Sequence, residues 1–185
     1  NTVVMLTSDH GEMLGDHHLW RKTVPYEPSA RIPFLIRVPE RFGARPGTVV
    51  DEPVTLADLM PTLLDLAGVP SPETVDGRSL LPLLRGESFA ERPYVHIEHA
   101  PRHHGLTDGK EKYVWFVDDG REQLFRLTDD PAECHDLAAV PEEAARLSYW
   151  RGLLIDRLKQ RSEGFSDGEK LIPGRPYPAV YRQPT

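Results

Sequence analysis

The sequence is poor in cysteine, in long apolar runs and in positive charge. Cys134 is the only cysteine among 185 residues, so no intrachain disulfide can form and a zinc-thiolate cluster is excluded. No apolar stretch approaches the ~18–20 residues that span a bilayer, and no membrane partner is expected. Lys and Arg total 22 against 29 Asp and Glu, a formal net charge of −7. A nucleic-acid backbone needs a basic face, and none is visible, so that partner class is set aside as well. A start Met is lacking too. The chain runs at once into Val3-Val4-Met5-Leu6 with no signal sequence ahead of it, and a C-terminal piece of a longer protein is the expectation.

What is present is globular in composition, 39% hydrophobic and 28% charged, with 18 Pro and 14 Gly marking many turns. Val3–Leu6 is short, continuous and β-branched at its start, which predicts a strand buried on both faces, as in a parallel sheet. Ile32–Val38 predicts a second strand. Between them, residues 12–31 form a long polar segment with two His and no clear period, a length that loops reach when they are functional or disordered. Leu56, Leu59, Met60, Leu63, Leu64 and Ala67 recur at helical spacing, with Thr55 and Asp58 placed as a capping box and Gly68 as the stop. Residues 69–93 read as loop, with a short apolar stretch at Leu80–Leu84 interrupted by Pro82, and a soft boundary is placed near Glu91-Arg92-Pro93. Beyond it, Tyr94–Glu98 alternates, and Lys112–Val117 and Gln123–Leu127 flank Asp118-Asp119-Gly120-Arg121, a hairpin signal. Pro141–Arg161 predicts a helix with an apolar face. The last 24 residues are a Pro- and Gly-rich tail that wraps a surface or is disordered.

The chemistry concentrates in Thr7-Ser8-Asp9-His10-Gly11-Glu12, directly after the first strand. Ligands of open α/β sheets bind outside the carboxyl ends of strands. Asp9 and His10 deliver a carboxylate and an imidazole there together, a donor set suited to a divalent cation, provided that the backbone turns at His10, which Gly11 permits. The rival reading makes Asp9 a helix cap and His10 a loop residue. Lys22 suits an anionic oxygen or else is a solvated lysine. His17 and His18 form a doublet, of which one could face the site or both could be surface imidazoles. His96, His99, His103 and His104 crowd nine residues around Glu98; lacking a second ligand pair at a recognisable spacing, they read as a polar strand end rather than a metal site. Cys134, between Glu133 and His135, does not make a Cys/His dyad.

Residues 7–17 through Lys22, then Pro28-Ser29-Ala30-Arg31-Ile32-Pro33-Phe34, closely resemble the sulfatase family of the alkaline phosphatase superfamily. The Asp-His form looks like its choline sulfatase and phosphonate monoester hydrolase branch. Leu56–Gly68, Asp76–Leu80, and Glu122–Leu127 with Asp130–Glu133 agree with that family in order, and the resemblance covers roughly residues 3–138. It implies an α/β fold: residues 1–90 the C-terminal part of an alkaline-phosphatase-like domain, 91–161 a small antiparallel sheet with a packed helix, and 162–185 an extended tail. It implies Asp9 and His10 as ligands of a divalent cation, calcium first and Mn or Mg as alternatives. Lys22, with His17, would contact a small-molecule sulfate or phosphonate ester. The family's nucleophile is a formylglycine made from Cys or Ser in a Cys/Ser-x-Pro/Ala-x-Arg motif near the N-terminus, and that motif is expected to be absent from this chain, since Cys134 with His135-Asp136-Leu137-Ala138 does not match it. The parent is therefore expected to be a sulfuric ester hydrolase and the fragment alone inactive. The alternatives are a noncatalytic binding or structural module, and a phosphatase-type relative with a Ser or Thr nucleophile. A homo-oligomer, through the tail, is compatible with the sequence, as are cytosol and periplasm.

Overall fold

The structure, a computed structural model, describes residues 1–89, 92–99 and 102–176. The fold is α/β, and the chain divides into two compact units. One holds Asn1–His10 and Ile32–Val95, the other Gly11–Arg31 and His96–Thr185. Residue 91, where the sequence suggests a boundary, and residues 177–185 of the tail lie outside the described residues.

In the first unit, β1 (Val4–Thr7) pairs with β2 (Phe34–Arg37), Val4 opposite Arg37 and Thr7 opposite Phe34. The pairing is antiparallel, which corrects the parallel, doubly buried strand expected from the apolar run. A run of four such residues specifies a strand but not its neighbour's direction. With one paired partner the ribbon covers only alternate side chains, and Val4, Leu6 and Leu35 stay more than half exposed. A 3₁₀ turn at Leu56–Asp58 leads into α2 (Leu59–Leu66), while α1 (Glu27–Ala30) belongs to the second unit. Pro61 lies in the first turn of α2, where a missing N–H leaves no helical bond unmade, so the helix is not broken there. The same tolerance makes Leu80–Leu84 helical: α3 (Leu81–Arg85) carries Pro82 in its first turn.

Asp58 ties this unit together. Fully buried, its carboxylate accepts the Thr55 N–H (2.8 Å), the Arg78 N–H (2.9 Å) and both terminal nitrogens of Arg92 (2.8 and 2.6 Å). Burial pushes its pKa up, but these donors and the Arg92 charge outweigh that and hold it below the usual carboxylate range. Its carbonyl accepts Thr62 Oγ1, which in turn accepts the Leu80 N–H, so α2 and the start of α3 hang on the same residue. Gly77 crosses so near Ala57 that a Cβ there would fall 1.9 Å from the Ala57 carbonyl oxygen.

The second unit is a four-stranded sheet in the order β3 (Val95–His99), β4 (His103–Thr107), β5 (Glu111–Phe116), β6 (Glu122–Arg126). β4–β5 and β5–β6 are antiparallel, with Leu106 opposite Tyr113 and Tyr113 opposite Leu124. The final helix, α4 (Ala144–Leu158), buries Leu147, Trp150, Leu154 and Leu158 and packs on β5. Glu111 accepts the Trp150 indole N–H (2.9 Å), and Glu122 takes Arg151 in a two-pronged bond (2.6 Å each). The described part of the tail folds back, with Phe165 buried against Trp115 and the Gly174 N–H on the Val117 carbonyl (2.7 Å).

Candidate active site

Every residue of β4 is buried, so the sheet is covered on both sides. One cover is α4. The other includes the segment 11–31, whose Pro25 approaches Gly105 of β4. Met13 and Tyr26 from this segment form a small core with Phe125 and Leu127, flanked by Leu19 and Val24. The long polar segment is thus an ordered loop built on apolar anchors. Its backbone closes on itself through Met13 N–H to Arg21 O (3.0 Å) and Gly15 N–H to Leu19 O (2.9 Å). Leu14, His17, His18 and Arg21 all take positive φ, a concentration of unfavourable backbone that persists only where surrounding contacts over-determine it, as they do in functional loops.

A buried ion cluster under the loop's second half fixes it further. Lys112 of β5, fully buried, places Nζ 2.8 Å from Glu27 Oε1 and 2.8 Å from Glu133 Oε1. Glu133 also accepts the Glu27 backbone N–H (2.5 Å), and burial raises its pKa despite the lysine. The sheet thereby grips α1 at its first residue. Ser29 then donates to the Lys22 carbonyl (2.5 Å), which transmits that grip to the turn bearing Lys22. None of this was legible from spacing, because Glu27, Lys112 and Glu133 lie far apart in the chain.

The predicted site residues fall on both units. Asp9 and His10 follow β1 in the first unit, where the chain bends at Asp9 and the His10 N–H bonds Asp9 Oδ1 (3.1 Å). Asp9 Oδ2 and His10 Nε2 stand 3.5 Å apart, and the Asp9 side chain is 85% exposed. Lys22 and His17 lie on the loop of the second unit, Lys22 on its exposed face. His17 stacks on Tyr26 (4.4 Å, 7°), and its Nε2 bonds the Ala132 carbonyl (2.9 Å), so part of its role is to hold the loop. Gly11 serves a close approach rather than a free turn beside a ligand. The Gly11 N–H bonds Ser29 O and the Glu12 N–H bonds Pro28 O, and a Cβ at residue 11 would meet Pro28 O at 2.0 Å. Cys134 is exposed on a turn held by Asp130. The expected absence of the formylglycine pattern needs correction: Ser88-Phe89-Ala90-Glu91-Arg92 meets its letter, though it lies downstream of Asp9 and its Arg92 is engaged by buried Asp58.

The family "N-sulphoglucosamine sulphohydrolase, C-terminal" matches residues 15–160. The chain belongs to the sulfatase family. This sulfatase C-terminal region is 42% identical over 180 residues to an arylsulfatase of Clostridium perfringens, a match covering 95% of the chain and 37% of that protein. It is 39% identical over 168 residues to a choline-sulfatase of Rhizobium meliloti, covering 83% of the chain and 31% of the relative. Among solved structures, the phosphonate monoester hydrolase of Silicibacter pomeroyi superimposes with a TM-score of 0.73 at 32% identity, over 85% of this chain and 35% of that one. The chain therefore spans about a third of the length of these relatives. Among the described residues, no helix is long and apolar enough to cross a membrane.

Proposed function

We propose that the protein containing this chain hydrolyses small-molecule sulfate esters, with phosphonate and phosphate monoesters as the neighbouring substrate class. The observation that carries the reading is the pair of donor atoms after β1. Asp9 Oδ2 and His10 Nε2, 3.5 Å apart, can both lie within the ~2.0–2.6 Å bonding reach of one divalent cation. Asp9 and His10 would hold such an ion, calcium first and Mn or Mg as alternatives. When bound, it would supply positive charge to the ester oxygens. The nucleophile, a formylglycine in this reading, lies outside this chain, so the chain alone is inactive.

The chain's own contribution is positioning and charge. Lys22 presents an ammonium to an oxygen of the sulfate group, as a point charge that needs no fixed hydrogen-bond direction. The Ser29 bond to its carbonyl and the Glu27–Lys112–Glu133 cluster hold the turn from which it projects. His17, with Nε2 on Ala132, can meet substrate only through its other ring nitrogen.

The test is Lys22→Ala in the full-length protein, assayed on aryl sulfate, phosphate and phosphonate esters side by side. The expected loss in kcat/KM on the preferred ester is roughly 10²-fold, the ~2.7 kcal/mol associated with one anion-stabilising contact. Unchanged kinetics removes Lys22 from the site. A parent rate on phosphate monoesters above that on sulfate esters moves the protein to the phosphatase-type alternative.

A further inference from the structure

The four histidines between positions 96 and 104 take two arrangements in the second unit. His99 stacks on His103 (5.7 Å). His96 of β3 and His104 of β4 stack at 5.3 Å and converge with Glu98. We propose that His96 Nε2, Glu98 Oε2 and His104 Nδ1 form a binding site for a zinc-class divalent cation, separate from Asp9 and His10.

The spacing is the first support. His96 Nε2 to His104 Nδ1 is 3.1 Å, His104 Nδ1 to Glu98 Oε2 is 3.7 Å, and His96 Nε2 to Glu98 Oε2 is 3.8 Å. The point equidistant from the corners of a triangle with these sides is about 2.1 Å from each. Zinc bonds imidazole nitrogen at ~2.0–2.1 Å and carboxylate oxygen at ~2.0–2.2 Å. Calcium needs ~2.3–2.6 Å and more oxygens, so two nitrogens and one oxygen at this radius select a borderline metal over a hard one.

Preorganisation is the second. His104 is fully buried, its ring set between Trp115 (6.0 Å) and Phe165 (5.4 Å). Arg161 Nη1 donates to Glu98 Oε2, the oxygen of the triad itself, and Arg161 also bonds Glu163; a bound ion would share that oxygen with the guanidinium, which keeps the carboxylate turned toward the two rings. Burial lowers the pKa of His96 to about 4 and that of His104 to about 3. In the sequence, His96 and Glu98 have no second ligand pair at a recognisable spacing. The third ligand comes from across the hairpin, where strand pairing and not spacing delivers it. An ion drawn slightly out of the plane of the three atoms would clamp β3, the first strand of the sheet order, to β4 and keep a fourth position for water.

The rival account is a proton shared between the two rings, since 3.1 Å is also hydrogen-bond distance. The full-length protein is stripped with a chelator and titrated with Zn²⁺ by calorimetry and with Co²⁺ by visible absorption. Glu98→Gln, His96→Gln and Asp9→Asn are run alongside. We expect zinc uptake that Asp9→Asn retains and that Glu98→Gln and His96→Gln each weaken at least tenfold. The absorption of tetrahedral Co²⁺ and the zinc-dependent rise in melting temperature should vanish with it. Circular dichroism of Glu98→Gln, whose side chain is partly exposed, shows that its fold is kept. No zinc uptake, uptake lost only in Asp9→Asn, or equal affinity in the parent and both triad variants overturns the site.

Discussion

Replacing Asp58 by Ala should loosen the first unit far more than its place in a short turn suggests. The substitution removes an acceptor of five hydrogen bonds and leaves the Arg92 guanidinium, 12% exposed, without its counter-charge. Breaking one side of a buried ion pair costs ~3–5 kcal/mol, because the remaining charge stays desolvated. That is a large share of a typical ~5–15 kcal/mol stability. At about 1.36 kcal/mol per decade, the opening equilibrium shifts by roughly 10²- to 10³-fold or more. Native-state hydrogen exchange of the α2 amides in the full-length protein reads that shift directly. Removing both charges, in Asp58→Ala with Arg92→Leu, should recover part of it, since no orphaned cation remains. The pH dependence has a defined sign. Asp58 has a depressed pKa in the folded state, so its contribution is complete above the ordinary carboxylate range near ~3.9 and is lost as pH falls through the folded-state value. Exchange in Asp58→Ala within threefold of the parent would refute this account of the unit.

Two further outcomes test the loop. Gly11→Ala forces a methyl to 2.0 Å from Pro28 O, so the Gly11 and Glu12 amides should lose their bonds and their exchange protection, at ~1–3 kcal/mol of local stability, while α4 amides are unaffected; retained protection at residues 11 and 12 contradicts the close approach. Lys112→Met leaves Glu133 without its buried cation and Glu27 with only the exposed Arg31 (3.7 Å), and should destabilise the second unit by ~3–5 kcal/mol in chemical denaturation, with Lys112→Met/Glu133→Gln less affected than the single change; equal losses would show that the charges are not coupled.

Local signals carried the elements well. The Thr55/Asp58 capping box is present, with the Asp58 carboxylate on the Thr55 N–H, and the Asp-Gly turn does join β5 to β6. The Pro141–Arg161 period became a 3₁₀ turn and α4. β4 escaped, because His103-His104-Gly105-Leu106-Thr107 has neither alternation nor β-branched enrichment at its start, and its burial on both faces comes from neighbours distant in sequence. The same holds for Lys112, which reads as a strand lysine and is fully buried only because two glutamates from other segments meet it. For the site, Asp9, His10 and Lys22 stood out through family resemblance and residue chemistry. The groups that position Lys22, and the convergence of His96 and Glu98 with His104, depend on tertiary placement that no local pattern encodes.

The backbone changes allegiance three times, after His10, after Arg31 and after Val95. No single scission can therefore part the two bodies cleanly. A truncated version stopping near residue 95 would strand Met13, Tyr26 and Glu27, whose burial depends on Phe125, Leu127 and Lys112 further along. Shortening this protein at its apparent seam would dismantle the very loop that bears Lys22, so any minimal version must keep both ends.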